Sequence, residues 1–260
     1  MVGLDFGFGV LEQDFWRVVF LMTRIGAALL AAPLFGGASV PATVRTCLTG
    51  ALAIFAAIWL PEVPVPPALL SLEGVLAVAG EVLVGATLGF VLQLAFAAPP
   101  LAAEIIAGSM GMSMAVAADP QGGGQTTAFG QYFNIVLVLI FLGVGAHLHW
   151  IALLMDSYRA FPPGQTWLGP ERLSLVVGFA GDMFATALRI GLPVTLILLL
   201  VQFMTGVLSR AAPSLNLFAL GLPAAVLAGI AALIITAPLV HEQLTDLSQQ
   251  AIGQAAQVLR

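Results

Sequence analysis

The chain has 260 residues, 60% of them hydrophobic and only 8% charged, with a mean hydropathy of +1.05 and a formal net charge of -5 carried without a single lysine. About a quarter of the residues of a soluble globular domain are charged, so this composition excludes that class and defines a membrane-type protein. The negative balance argues against a nucleic-acid partner, and the one cysteine, Cys47, excludes an intrachain disulfide.

Asp5, Glu12 and Asp14 precede the first apolar run, where a cleavable secretory leader would carry positive charge, so residues 1–16 are expected to stay on the mature chain. The first run, 18–35, is apolar except for Arg24 and stops near Pro33 and the Gly36-Gly37 pair. Arg17 and Arg24 lie seven residues apart and share a helix face. The second run, 47–60, is introduced by Pro41 and Arg45 and closed by the proline-rich 61–67; at 14 residues it is too short to span by itself. Cys47, inside this run, is expected as a small core residue. The third run, 69–98, carries Glu73, Glu81 and Gln93, and its Gly85 and Gly89 permit close approach of another helix. Pro99 and Pro100 are expected to begin a separate, weaker helix bearing Glu104.

Beyond Gly108, a Gly-Ser-Met-Gly-Met-Ser-Met string reaches Met114, and Asp119-Pro120 with Gly122, Gly123 and Gly124 marks an irregular loop. Residues 133–155 then give 23 positions without Asp, Glu, Lys or Arg, long enough for one crossing at about 1.5 Å per residue. After the turn at Pro162-Pro163-Gly164, the 37-residue stretch 173–209 contains Pro193, which is expected to kink or divide it. The 24 residues 217–240 carry no charge and form the cleanest spanning candidate. In the tail, 242–260, Leu244, Leu247, Ala251, Ala255 and Val258 recur at helical spacing between polar residues, the pattern of an amphipathic helix. The total is an all-α chain of six or seven broken segments. No polar or low-complexity linker divides it, so 1–260 reads as one integrated helical body.

Six charges sit within the apolar runs: Arg24, Glu73, Glu81, Glu104, Asp182 and Arg189. An ionised group at mid-bilayer costs roughly 2.5 to 3.5 kcal/mol on insertion scales, so each requires a partner, water or a protein-lined surface. Glu73, Glu81 and Asp182 could serve a proton or cation path, or they could pair with Arg24, Arg45, Arg189 or Arg210. Glu73 and Glu81 project about 80° apart at 100° per residue, which does not make a single relay line. His147 and His149 point about 200° apart on a helix and have no third ligand at useful spacing, so the pattern carries no metal site. No nucleophile elbow, Walker loop or dinucleotide fingerprint appears, and neither an enzymatic activity nor a cofactor is expected. Met110, Met112 and Met114 fit core packing or an adaptable seal, since methionine conforms to irregular surfaces. The string from Ser209 to Pro223 is a short polar turn in which Pro213 bars a continuous helix and Arg210 and Asn216 can tie backbone carbonyls.

That C-terminal string, Arg210 to Asn216 followed by Phe218, Gly221 and Pro223, resembles the signature of the FliR family of flagellar type III export-gate subunits, whose virulence counterparts serve injectisomes. Arg24, Pro33, Pro41 and Arg45, the segment from Glu104 to Gly111 with Asp119-Pro120, and His147 with Ser157-Tyr158 fall in similar order, over roughly residues 15 to 240. The resemblance implies broken, kinked segments packed as hairpins in a helical assembly with FliP-like and FliQ-like subunits, and an FlhB-like companion. It implies a bacterial inner-membrane location in the flagellar basal body, with much of the assembly toward the periplasmic side. The implied function is a protein-conducting channel for unfolded flagellar proteins. Residues 108–125, with Gly108, Met110, Gly111, Met112, Met114 and Gly122 to Gly124, then correspond to a loop that plugs the closed channel. Arg24, Arg45, Glu73, Glu81, Glu104, Asp182, Arg189, Arg210, Pro213 and Asn216 become assembly and charge-pairing residues. A virulence export gate, an ion-coupled secondary transporter and a non-transporting scaffold are the alternatives; a transporter would show internal repeats with matching broken helices, and Pro99-Pro100 and Pro193 do not match.

Overall fold

The computed structural model describes residues 10–37, 39–61, 63, 71–111, 128–163, 169–211 and 217–260. Met112, Met114, Gly122, Gly123, Gly124, Pro213 and Asn216 lie outside the described residues. Among the described residues every regular element is a helix: α1 (Val10–Ala31), the single turn α2 (Pro33–Gly36), α3 (Ala42–Trp59), α4 (Leu72–Ser109), α5 (Ala128–Gly143), α6 (Ala146–Ala160), α7 (Pro170–Ala211) and α8 (Leu217–Val258).

Four of these are long and apolar enough to cross a membrane, over Ala42–Trp59, Leu72–Ser109, Pro170–Leu208 and Pro223–Val258; α5 and α6 supply a fifth if taken as one broken span. The chain forms two compact units. The first comprises Met1–Ala95, Gly145–Ala180 and Gln250–Arg260, and the second Phe96–Val144 and Gly181–Gln249.

Several boundaries differ from the sequence reading. Pro41 occupies the N-cap of α3, so the helix begins at Ala42 and reaches 18 residues, enough to span where 14 were not. Cys47 is exposed on it and is not a core residue. Pro99 and Pro100 lie inside a continuous 38-residue α4 and do not start a new helix. Pro193 likewise sits within the 42 residues of α7, and Pro223 and Pro238 within the 42 of α8. A proline removes one backbone hydrogen bond, but in apolar surroundings no water competes for the others, and the helix continues. The uninterrupted span expected over 133–155 is instead broken between α5 and α6, because Gly145 takes a left-handed φ of 75° that no α-helix contains. The amphipathic tail is continuous with α8, and its expected stripe of Leu244, Leu247, Ala251, Ala255 and Val258 is buried throughout.

In the first unit α4 crosses α1 at the two glycines picked out by the sequence. A Cβ at Gly85 would overlap the Arg24 carbonyl oxygen and come within 3.1 Å of the Ala28 nitrogen; one at Gly89 would lie 2.6 Å from the Ala31 Cβ and 2.9 Å from the Ala32 nitrogen. Backbone cannot yield as a flexible side chain does, so hydrogen is the substituent this approach admits. Phe20, Leu21, Ile25, Ala28 and Leu29 of α1 and Val84, Leu88, Val91 and Leu92 of α4 are buried around it. Gly85→Leu should therefore separate the two helices and destabilise the first unit by about 1–3 kcal/mol or more, read as a lowered midpoint of thermal unfolding in detergent.

Candidate functional site

The first candidate site is a polar node inside the first unit. Arg24, on α1, has no accessible surface, and neither has the side chain of Glu81 on α4. Arg24 Nε donates to Glu81 Oε2 and Nη2 donates to Glu81 Oε1, each at 2.8 Å, so the guanidinium grips the carboxylate with both prongs. Nη2 also donates to the Phe161 carbonyl oxygen at 2.7 Å, and Nη1 to Ser157 Oγ at 3.1 Å. The Tyr158 ring lies against the guanidinium, 4.2 Å from Cζ to centroid, while its hydroxyl donates to the Leu21 carbonyl at 2.7 Å. Four donor contacts from one planar group tie α1, α4 and the C-terminal end of α6. Lysine, a point charge without the fork, could not make this set.

Neighbouring contacts reinforce it. Ser157 Oγ donates a hydrogen bond to the Leu154 carbonyl at 2.6 Å, which leaves its lone pairs free to accept from Arg24. Trp150, also on α6, donates from Nε1 to the Leu88 carbonyl of α4 at 3.2 Å and stacks on Phe35 at a centroid distance of 6.2 Å. Two turns before Arg24 on the same face, Arg17 Nη2 reaches the Leu60 carbonyl at 2.6 Å. Among the described residues Arg45 bonds no carboxylate; its Nε donates to the Phe35 carbonyl at 2.9 Å and its Nη2 to Gly37 and Val40 carbonyls at 3.2 and 3.4 Å, which closes the turn ahead of α3.

The six intramembrane charges thus divide. Arg24 and Glu81 find each other at the centre of a unit, whereas Glu73, Glu104, Asp182 and Arg189 are exposed on helix surfaces, as is Arg210. The difference between Glu73 and Glu81 follows their angular separation on α4. Sequence reasoning picked out Arg24 and Glu81 but not Ser157, Tyr158 and the Phe161 carbonyl as their partners. The available signal was the Ser-Tyr pair at the end of an otherwise apolar segment, seven residues beyond Trp150.

The second candidate site is the C-terminal end of α4, in the second unit. Here Met110 is buried, Gly111 ends the helix with a left-handed φ of 80°, and Gln202 Nε2 of α7 donates to the Ser109 carbonyl at 2.6 Å. Gly108, Met110 and Gly111 of the expected plug are therefore at the end of a long helix, held from α7. Among the described residues no three of His, Cys, Asp or Glu cluster as metal ligands. His149 is exposed, with Nδ1 3.2 Å from the Gly145 carbonyl.

Long apolar helices, a fully bonded ion pair at the centre of one unit and apolar outer faces on α3 and α7 define an all-helical, membrane-type protein. The chain belongs to family 1 of the bacterial export proteins, whose sequence profile matches residues 15–251. It is 31% identical over 248 residues to the flagellar biosynthetic protein FliR of Pectobacterium carotovorum subsp. carotovorum, covering 95% of this chain and 93% of that one. It is 30% identical over 230 residues to FliR of Escherichia coli strain K12, covering 88% and 86%, and 32% identical over 204 residues to FliR of Bacillus subtilis strain 168, covering 77% and 78%. The family expected from the order of motifs is borne out along nearly the whole chain.

Removing one member of a buried ion pair strands the other, so Arg24→Ala and Glu81→Ala should each destabilise the protein by about 3–5 kcal/mol. Arg24→Lys should recover little of this, because one ammonium cannot replace the forked contacts, whereas Arg24→Met with Glu81→Leu should recover most of it. Thermal unfolding in detergent of the four variants checks the order.

Proposed function

We propose that this chain is an export-gate subunit of the flagellar type III secretion system, forming with FliP-like and FliQ-like subunits the channel through which unfolded flagellar proteins cross the bacterial inner membrane. An FlhB-like subunit is the further companion in this reading, and the basal body is its place, with much of the assembly toward the periplasmic side. Similarity to FliR proteins of three bacteria over most of each chain carries the flagellar assignment.

The assembly reading is supported by what the surface carries. On α7, Asp182 and Arg189 are exposed between Phe184, Leu188, Leu192 and Leu196, all exposed too. A pure lipid environment suits the leucines but penalises the charges, while a protein neighbour or enclosed water accommodates both. In the same way α3 exposes Ile54, Phe55, Ile58 and Trp59 on a helix with few buried positions. The ion-coupled transporter fits less well. Its coupling carboxylates would have to change partners, yet Glu81 is fixed at both oxygens by Arg24 and Asp182 is on the surface.

In this reading residues 108–125 plug the resting channel. Glycine, which admits backbone conformations other residues do not, and methionine, which fits irregular surfaces, with no fixed charge before Asp119, suit a displaceable seal.

Two experiments test the proposal. Purified alone and with FliP-like and FliQ-like companions, the chain should be recovered as a mixed complex; a monodisperse monomer that moves a small solute into vesicles would overturn the gate reading. In planar bilayers, replacing Met110, Met112 and Met114 by serine, or deleting Gly122 to Gly124, should raise the resting ion conductance of the complex, and unchanged conductance would remove the plug.

A further inference from the structure

Gly229 lies on the buried face of α8, with Ala225 four residues before it and Ala232 three after, all three buried. This row of small side chains leaves room on that face for a side chain from another helix. The occupant is Met110, the first residue beyond α4 and only 1% exposed. A Cβ built on Gly229 would overlap the Met110 Cε and would lie 2.9 Å from its Sδ and 3.0 Å from its Cγ. The whole thioether arm therefore runs along the glycine, not just its tip.

The same short stretch is held from two other directions. The Gln202 amide of α7 donates to the Ser109 carbonyl at 2.6 Å, taking up an acceptor that the end of the helix leaves open. One turn earlier, Gly191 of α7 admits Ile105, whose Cγ2 is 3.3 Å from where a Cβ would stand. At Gly111 the chain turns through a left-handed φ of 80° and leaves the helix. Among the described residues, Ser109 and Met110 are thus the anchored pair at the end of α4.

We propose that Gly229 is the seat of the Met110 side chain, and that this seat, with Gln202 on the Ser109 carbonyl, is the latch that fixes the stem of the plug in its resting position. The inference rests on the plug reading above and extends it to residues of α7 and α8 that the motifs did not single out. Its chemistry suits a reversible latch: a thioether in an apolar slot and one neutral hydrogen bond release without breaking an ion pair. Gly229→Ala separates this role from a structural one. Alanine is the better helix former, so α8 itself gains from the change while the methionine loses its slot.

The tests use the assembled complex with its FliP-like and FliQ-like companions. Gly229→Ala should leave the yield of complex unchanged and raise its resting conductance; normal yield with normal conductance would overturn the latch, as would a loss of assembly. For the second test, Met110→Cys and Gly229→Cys are combined in a Cys47→Ser background, since Cys47 is exposed. In a disulfide the Cβ of one half lies about 3 Å from the sulfur of the other, given an S–S bond of roughly 2.05 Å, and the Met110 Cγ already occupies that place at 3.0 Å. Oxidation should form the cross-link and stop export of a flagellar protein, and reductant should return export to the level the double variant shows before oxidation, while oxidant should leave each single-cysteine variant at its own reduced level of export. Absence of the cross-link, or export that continues through it, would overturn the latch. The serine and glycine-deletion variants report separately on the plug: leakage there with a failed latch test removes only this inference, and no leakage there removes the plug itself.

Discussion

The first unit depends on one fully desolvated ion pair. Taking a guanidinium and a carboxylate out of water costs several kcal/mol per ion, and mutual attraction repays this only when the remaining donors and acceptors are also satisfied. Arg24 meets that condition at each of its three nitrogens: its fork holds Glu81, two further N–H groups reach Ser157 and the Phe161 carbonyl, and its face lies on Tyr158. Each partner constrains an element. Glu81 sets the register of α4 on α1, and the register brings Gly85 and Gly89 to the backbone of Arg24 and Ala28. Ser157 and Phe161 fix where α6 ends.

A different logic governs the outer surface. In the second unit α7 exposes apolar residues from Phe184 to Leu208, which at about 1.5 Å per residue cover about 36 Å, more than a hydrocarbon core of roughly 30 Å. These residues cannot all meet lipid tails if the helix crosses one bilayer. Charges placed among those residues reinforce the point. At Arg24 the charge is stabilised by a partner in the same chain; for Asp182 and Arg189, exposed on α7, the proposed reading supplies the stabilisation from neighbouring subunits. The same sequence rule, that an intramembrane charge needs company, is met intramolecularly at Arg24 and intermolecularly in the reading proposed for Asp182 and Arg189.

Local sequence predicted some elements and misjudged others for identifiable reasons. The amphipathic stripe from Leu244 to Val258 was legible because helical period and burial coincide there. The close approach at Gly85 and Gly89 was legible because two small residues one turn apart have few other uses in a helix packed against another. Proline misled at Pro99 and Pro100, since its penalty is calibrated in water, where the backbone has an alternative partner. Gly145 was missed because a glycine that breaks a helix and one that merely sits in it look alike until φ is known. At the ion pair both charged residues were legible, but their mutual choice was not. Glu81 could have faced Arg24, Arg45, Arg189 or Arg210, and Ser157 and Tyr158 carried no charge to mark them as partners.

By itself the sequence determined the solvent, the all-helical class, the family and the short inventory of groups that could not face lipid. These follow from composition, periodicity and motif order, which are local properties or sums of them. Tertiary structure alone decided which arginine met which carboxylate, that Arg45 would close a turn instead, and that Met110 would rest on Gly229. Those outcomes depend on contacts between residues 57 to 137 positions apart in the node, and 119 apart at Met110 and Gly229. Only packing, where a missing Cβ on one helix makes room for a side chain from another, selects among partners that local chemistry leaves equivalent.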